Sequence, residues 1–165
     1  MFRSLWLWIK NLFVSDVKIK THYEKPLATV SARLYREAYK YYGLHENKDK
    51  KALEELTGYD CVKVAWCGAF MNAIYKKCNI NAHTHDLWAR SHGKLGREVS
   101  IDDAVMGNIV VLWRIDKDGP YGHVGFYQSH NNKYVALLGG NQSDKVSVKY
   151  YDINRILTIR SFDDE

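Results

Sequence analysis

One cysteine has the setting of a nucleophile. It lies in the segment Trp66-Cys67-Gly68-Ala69-Phe70, which opens a predicted helix. The dipole and the free backbone N–H groups of a first helical turn favour a thiolate, and the thiolate is the nucleophilic form. The same N–H groups could hold an oxyanion during acyl transfer. Cys67 is therefore the candidate nucleophile, and the alternative is a buried structural cysteine.

A catalytic thiol needs a base, and His123 has the most suggestive position among the seven histidines. It follows Gly122 and opens a predicted strand. If the turn of the next hairpin lies at residues 130–131, His123 faces roughly Leu138 and the chain just beyond reaches Asn141. The sequence therefore predicts that the Asn141 amide orients the imidazole. Taken alone, each of these residues is more often structural.

The elements that must position these side chains follow from hydrophobic periodicity. Apolar residues recur every three or four positions in the first half of the chain, and they alternate or run continuously in the second half. The pattern predicts helices near 27–41, 49–56, from 65 onward and near 85–91, and strands near 108–113, 123–127, 134–138, 146–150 and 156–159. Thr84 is expected to cap the fourth helix, and Val146, Val148 and Tyr150 are expected to be the inner residues of a half-buried strand. Helices followed by an antiparallel sheet of about five strands indicate an α+β fold.

The composition is typical of a compact domain whose hydrophobic core is stable without disulfide or metal cross-links. The chain has 165 residues, of which 46% are hydrophobic and 26% charged, and only 2 are proline. These values are atypical of disordered, collagen-like and membrane-spanning proteins. Three cysteines are an odd number, which indicates free thiols. No C-x-x-C pair is present, so we expect no metal site.

The charge favours anionic partners. The chain carries 24 Lys and Arg against 19 Asp and Glu, a formal net charge of +5. The basic residues are dispersed and do not interleave with aromatic residues, so we expect no nucleic-acid binding.

The first 20 residues are predicted to form an amphipathic arm or helix ahead of a domain that spans 21–165. Apolar residues at helical spacing could place residues 2–14 on an anionic membrane surface, and packing on the domain is the simpler alternative. Lys10 and Asn11 interrupt the apolar run, so we recognise no signal peptide.

Several segments together resemble the NlpC/CHAP group of papain-like cysteine peptidases and amidases. The resemblance is stronger to the small peptidoglycan hydrolases of that group found in phages and prophages, and it runs from about residue 42 to 160. Two departures are Ala65, where the family often has proline, and Asn108, where Gly-Asp is usual. The loss of that Asp is expected to alter how the sheet meets the helix that carries Cys67. The segments that carry the resemblance are Ala65-Trp66-Cys67-Gly68-Ala69-Phe70, Ala89-Arg90-Ser91, Gly107-Asn108-Ile109-Val110-Val111, Gly122-His123-Val124-Gly125 and Leu138-Gly139-Gly140-Asn141-Gln142.

The resemblance implies a papain-like fold, with N-terminal helices packed on a C-terminal antiparallel sheet. It implies that Cys67 is the nucleophile, that His123 is the general base and later the acid, and that Asn141 orients His123. A second set of residues is expected near the substrate or the oxyanion: Trp66, Gly68, Gly122 and Gln142.

The function that the resemblance implies is endolysin-like hydrolysis of an amide bond in bacterial peptidoglycan, by a monomer without a cofactor. Such a protein is made in the cytoplasm of a bacterium, often one infected by a phage, and acts in the envelope or periplasm. Three alternatives stay open: an acyltransferase on the same scaffold, an interbacterial amidase toxin and a non-catalytic wall-binding module. Which amide is cut is also open.

Overall fold

The computed structural model describes residues 29–82, 84–85 and 87–163, so the predictions for residues 1–20 lie outside the described residues. The helices in this part of the chain are α1 (Val30–Tyr39), α2 (Lys50–Thr57), α3 (Cys67–Lys77) and two 3₁₀ helices, Ala89–Lys94 and Ile153–Arg155. The strands are β1 (Arg97–Glu98), β2 (Ile109–Trp113), β3 (Gly122–His130), β4 (Tyr134–Gly139), β5 (Ser147–Asp152) and β6 (Ile156–Ser161). None of these helices has the length and apolar character needed to cross a bilayer.

The strands form one antiparallel sheet in the order β1-β6-β2-β3-β4-β5. Strands β2 to β5 follow one another as a meander, and β6 returns to pair with β2. The predicted α+β class is confirmed, as are the five longer strands. Strand β1 was not predicted because it has two exposed residues and no apolar alternation.

The two faces of the sheet carry separate apolar clusters. Val124, Phe126 and Leu138 pack with the helices on one face, which we call the helix face. Leu112 and Leu137 belong to a second cluster on the other side, which we call the far face. Directly paired residues of an antiparallel sheet project to the same side. A site residue can therefore be assigned to a face from the strand register.

Two local predictions are wrong. The helix expected near 85–91 is instead a 3₁₀ helix at Ala89–Lys94, and Thr84, expected to cap it, donates its hydroxyl to Asn72 Oδ1 at 2.6 Å. Tyr150 was expected to point inward and is 66% exposed. Tyr150 lies on β5, the last strand of the sheet, and pairs with Ala136 on β4. It is exposed because the helices pack over β3 and β4 and do not cover β5 at this position.

Asn108 joins the sheet to α1. Its side chain is buried, and its Oδ1 accepts from the N–H of Val105 at 2.8 Å while its Nδ2 donates to Ser31 Oγ at 3.0 Å. We expected that the change from the usual Asp would affect how the sheet meets the helix that carries Cys67. Asn108 instead contacts the first turn of α1.

Gly107 is expected to tolerate no side chain. Its φ is +95°, and a Cβ would lie 1.8 Å from the carbonyl oxygen of Ser31, which is backbone and cannot turn away. We expect Gly107→Ala to lower the free energy of unfolding by about 3 kcal/mol or more. Gly43 is the matched control, because its φ is +92° and a Cβ there meets nothing within 4 Å. Gly43→Ala should cost only about 1–2 kcal/mol of backbone strain. Urea unfolding measures both, and equal losses would contradict the steric argument.

Candidate active site

Cys67 is the first residue of α3 and is buried, with 4% of its surface exposed. The preceding residue, Trp66, makes no side-chain capping hydrogen bond, so no cap side chain covers the first-turn N–H groups. The backbone N–H groups of Cys67 and Gly68 point toward the thiol, as does that of Val124 on β3. Val124 follows His123, so the thiol lies against the strand that carries the candidate base.

The resting form of this thiol differs from the expected one. Burial raises the pKa of Cys67 above its usual value, and this effect outweighs the three N–H groups and the Arg114 guanidinium, which all act in the opposite direction. The helix-start effect predicted from the sequence is present, but it is smaller than the cost of placing a thiolate in a dry environment. The resting form at neutral pH is therefore a thiol.

His123 is buried and its ring is held by Gln142. Its Nε2 lies 3.1 Å from Gln142 Oε1. The amide nitrogen of Gln142 faces three backbone carbonyls, those of Leu137, Gly139 and Ser147. Because the nitrogen donates to carbonyls, the amide oxygen must be the atom that faces the ring, and Nε2 must carry a hydrogen. The neutral imidazole then has its lone pair on Nδ1, which is free of this contact and is the atom that a general base would use.

The structure places the amide of Gln142 against the His123 ring, in the position that the sequence predicted for Asn141. The hairpin pairs His130 with Val135, so its turn lies later than residues 130–131. A bulge between Tyr127 and Ser129 shifts the register again, and Leu138 pairs with Phe126 rather than lying opposite His123. Asn141 leaves the strand with a left-handed φ of 57°. The amide on the ring comes from the next residue.

Trp66 and Gly140 support this arrangement from the core. Trp66, predicted to lie near the substrate or the oxyanion, is fully buried, packs edge-on against Phe70 and donates its Nε1–H to Glu46 Oε2 at 2.9 Å. A Cβ on Gly140 would lie 2.5 Å from the Trp66 ring and 2.7 Å from Phe70 Cβ. The absent side chain lets the segment that leads to Gln142 pass close over the first turn of α3.

Three further residues were predicted to lie near the substrate or the oxyanion: Gly68, Gly122 and Gln142. Gly68 presents its backbone N–H to the thiol, in keeping with the oxyanion role expected of it. Gly122 has no room for a side chain, because a Cβ would lie 2.8 Å from the carbonyl oxygen of Leu112 and 3.1 Å from Arg90 Cγ. Gln142, predicted to lie near the substrate or the oxyanion, is buried and contacts His123.

Tyr151 is a site residue that the sequence did not indicate. Its ring lies 5.1 Å from the His123 ring at an angle of 35°, and its hydroxyl donates to Gln142 Oε1 at 2.8 Å. Burial raises the pKa of Tyr151, so the phenol stays protonated and remains a donor. Two tyrosines are adjacent here, and the alternation of β5 favoured Tyr150 as the inner one. The pairing of Tyr151 with Val135 decides in favour of Tyr151.

Solved structures from two organisms share this architecture. NlpC1 from Trichomonas vaginalis superposes with a TM-score of 0.55 and 21% identity over 84% of this chain and 46% of that chain. NlpC2 from the same organism gives 0.55 and 19% over 84% and 49%. A Staphylococcus aureus protein described as similar to a lipoprotein of the NLP/P60 family gives 0.50 and 16% over 85% and 46%. This chain has the NlpC/P60 fold.

The NlpC/P60 fold agrees with the predicted architecture of N-terminal helices on an antiparallel sheet. This chain spans less than half the length of each of those three proteins. No protein-family model and no curated protein matches the sequence.

The thiols of this NlpC/P60 fold do not assemble a metal site in the part of the chain that the structure describes. Cys61, Cys67 and Cys78 are free and buried, and no three His, Cys, Asp or Glu side chains converge there.

His123 is expected to stay neutral far below the usual range of an imidazole. Burial is the main cause that lowers its pKa from 6.5 to about 4, and the contact with Gln142 opposes this shift only in part. We expect NMR of the ring nitrogens at pH 7 to show a neutral imidazole with hydrogen on Nε2, titrating near pH 4. A ring that titrates near 6.5 would contradict the burial argument.

The same shift makes stability depend on pH. The unfolded chain binds a proton at His123 near pH 6.5, and the folded chain does so only near pH 4, so acid favours unfolding within that window. We expect His123 to account for a loss of about 3 kcal/mol of unfolding free energy between pH 6.5 and pH 4. Urea unfolding of wild type and His123→Gln across this range measures the difference, and parallel pH profiles would contradict it.

Proposed function

We propose that this chain is a papain-like cysteine hydrolase that cleaves an amide bond in the peptide of bacterial peptidoglycan. The observation that carries the proposal is the pairing of two features. Cys67 begins a helix that packs against β3, the strand that also carries His123, and Gln142 fixes the His123 tautomer that has its lone pair on Nδ1. The similarity in fold to proteins named NlpC and NLP/P60 supports the same class of enzyme.

The first half of the proposed reaction forms a thioester. The Cys67 sulfur attacks the amide carbonyl carbon while its proton passes to His123 Nδ1, because both groups are neutral at rest. The Cys67 and Gly68 N–H groups stabilise the oxyanion. The positive charge that develops on the imidazole is stabilised through Nε2–H and the Gln142 oxygen. The C–N bond then breaks, and Nδ1 returns its proton to the leaving amine.

The second half releases the acyl group. Water gives a proton to His123 Nδ1 as its oxygen attacks the thioester carbonyl, and the C–S bond breaks. The sulfur recovers the proton, and the product leaves with a new carboxyl group. The only side chains that exchange protons are Cys67 and His123, which is consistent with an enzyme that needs no cofactor.

The proposed setting is the bacterial envelope, with an endolysin-like role in lysis by a phage. The formal charge of +5 suits a polyanionic wall. The substrate is peptidoglycan, and the bond lies either between muramic acid and L-alanine or within the peptide.

The experiment is digestion of purified Gram-negative peptidoglycan with wild type and with Cys67→Ala, followed by mass spectrometry of the released fragments. We expect wild type alone to release fragments with one new amine and one new carboxyl group, and their masses identify the bond. A second digestion contains a primary amine as acceptor. Fragments acylated on that amine, without the free carboxyl product, would replace the hydrolase with a transferase. Absence of wild-type fragments in both digestions would overturn the proposal.

A further inference from the structure

A basic groove lies between α1 and the C-terminal end of α3, and we call it the α1–α3 groove. Its volume is about 500 Å³. Glu37 supplies the one carboxylate among the lining residues that the structure describes. The cations that line it are all exposed: Arg33, Arg36, Lys40 and Lys77. The groove therefore carries a net positive charge that is open to a ligand.

Helical spacing and one hydrogen bond bring these cations together. Arg33, Arg36 and Lys40 are three and four residues apart, so they share one side of α1 and of its C-terminal cap. The Arg33 guanidinium donates to the Cys78 carbonyl oxygen at 2.6 Å. Cys78 is the residue that caps α3, so this bond holds the end of α3, with Lys77, beside α1.

Most of this charge has no acidic partner in the described part of the chain. Lys40 pairs with Glu37 at 2.5 Å. The other ion pairs there lie in and after α2 and between Glu98 and Arg160, so they include neither Arg36 nor Lys77. Cations gathered in one groove repel one another, and an anionic ligand would offset that repulsion.

Two exposed tyrosines adjoin the cations. Tyr39 is 54% exposed and Tyr42 is 52% exposed, and their rings stack with centroids 5.3 Å apart. Tyr39 follows Arg36 by three positions, so it lies next to Arg36 on the surface of α1. Tyrosine rings beside lysine and arginine are typical of protein surfaces that lie at the level of lipid headgroups.

The chain that leads into α1 favours a membrane as the occupant. The described residues begin at 29, directly before α1. In the sequence before them, residues 2–14 have the apolar spacing of a helix that could lie on an anionic membrane. A nucleic-acid strand would instead require an extended basic channel with stacking platforms, whereas the α1–α3 groove has the volume of a small-ligand site.

We propose that the α1–α3 groove binds the phosphate-bearing headgroups of an anionic membrane. Arg36 and Lys77 contact the phosphates, and the ring of Tyr39 lies among the headgroups. Lys77 is the last residue of α3 and Cys67 is the first, so about 15 Å of helix separates this surface from the candidate nucleophile. The inference goes beyond the proposed hydrolysis and does not depend on it.

The test is co-sedimentation of the full chain with vesicles of two compositions. One contains phosphatidylcholine alone, and the other contains equal parts of phosphatidylcholine and phosphatidylglycerol. Wild type should bind the anionic vesicles at least about tenfold more tightly, and added salt should reduce the difference. The double variant Arg36→Gln, Lys77→Gln should weaken this binding by about tenfold or more, because each cation near an anionic surface contributes about fivefold.

The double variant Lys48→Gln, Lys117→Gln is the matched control. It removes the same charge from two exposed lysines, one just before α2 and one in the loop after β2. It should bind anionic vesicles nearly as tightly as wild type. Urea unfolding of both double variants should match that of wild type, which separates loss of binding from loss of fold.

Three results would overturn the inference. The first is that wild type binds neither vesicle, or binds both equally. The second is that the two double variants lose the same affinity, since overall charge and not the α1–α3 groove would then attract the membrane. The third is that wild type binds a single-stranded oligonucleotide more tightly than the anionic vesicles and loses that binding in Arg36→Gln, Lys77→Gln. That outcome would assign the groove to nucleic acid.

Discussion

Replacing Cys67 with alanine is expected to abolish amide hydrolysis and to leave the fold intact. The substitution removes the atom that attacks the carbonyl, and loss of a nucleophile in enzymes of this chemistry lowers kcat by about a thousandfold or more. It deletes one buried sulfur atom at the start of α3 and should lower the free energy of unfolding by only about 1–2 kcal/mol. Peptidoglycan turnover and urea unfolding measure the two effects separately.

Cys78 provides the control for this experiment. It is also a free, buried cysteine, but it lies at the C-terminal end of α3, where its sulfur contacts the Arg33 carbonyl oxygen at 3.8 Å. Cys78→Ala should cost a similar amount of stability and keep the hydrolytic rate. If Cys67→Ala retains turnover, or if it unfolds the protein while Cys78→Ala does not, Cys67 is a structural residue.

Replacing Gln142 with alanine is expected to damage both stability and activity. The side chain bonds His123 and Tyr151 through its oxygen and backbone carbonyls through its nitrogen, all in a buried environment. Leaving buried polar groups without partners costs about 1–3 kcal/mol each, so we expect a loss of about 3 kcal/mol or more in unfolding free energy. The His123 tautomer would no longer be set, and kcat/KM should fall by about a hundredfold.

Asn141→Ala is the matched control, because the two amides are neighbours in sequence. Asn141 is only partly buried and has a left-handed φ of 57°, so its replacement should cost about 1 kcal/mol of backbone strain and change kcat/KM little. Unfolding in urea and initial rates on the same peptide distinguish the two variants. The opposite result, with Asn141→Ala inactive and Gln142→Ala active, would return the orienting role to Asn141.

The local features of this site could be predicted from the sequence. The apolar stripe around Cys67 predicts a helix from residue 65 onward, which the structure begins at Cys67, and the pattern around His123 predicts the start of a strand. Hydrophobic periodicity depends only on residues a few positions apart, so helices and strands can be predicted without knowing how the rest of the chain folds. Helices ahead of an antiparallel sheet then follow as the fold class, as the structure confirms.

Features that depend on register were predicted less well. The bulge between Tyr127 and Ser129 and the later hairpin turn together move β4 relative to β3, which replaces Asn141 with Gln142 beside His123. On β5 the register is regular, but the strand lies at the end of the sheet, so Tyr150 is exposed and Tyr151, on the opposite face, lies beside His123. A bulge has no strong signal in the sequence, because its position depends on how the strand pairs with its neighbour.

The sequence by itself therefore predicted Cys67 and His123 as the candidate nucleophile and base, the helix and strand that carry them, and the α+β class, because each depends on short-range patterns. Only the tertiary structure decided which amide holds His123, which tyrosine stacks on it, and that thiol and imidazole are both neutral at rest. The physical reason is that register and burial are set by residues distant in the chain. Desolvation, which raises the pKa of Cys67 and lowers that of His123, exists only once the helices close over the sheet.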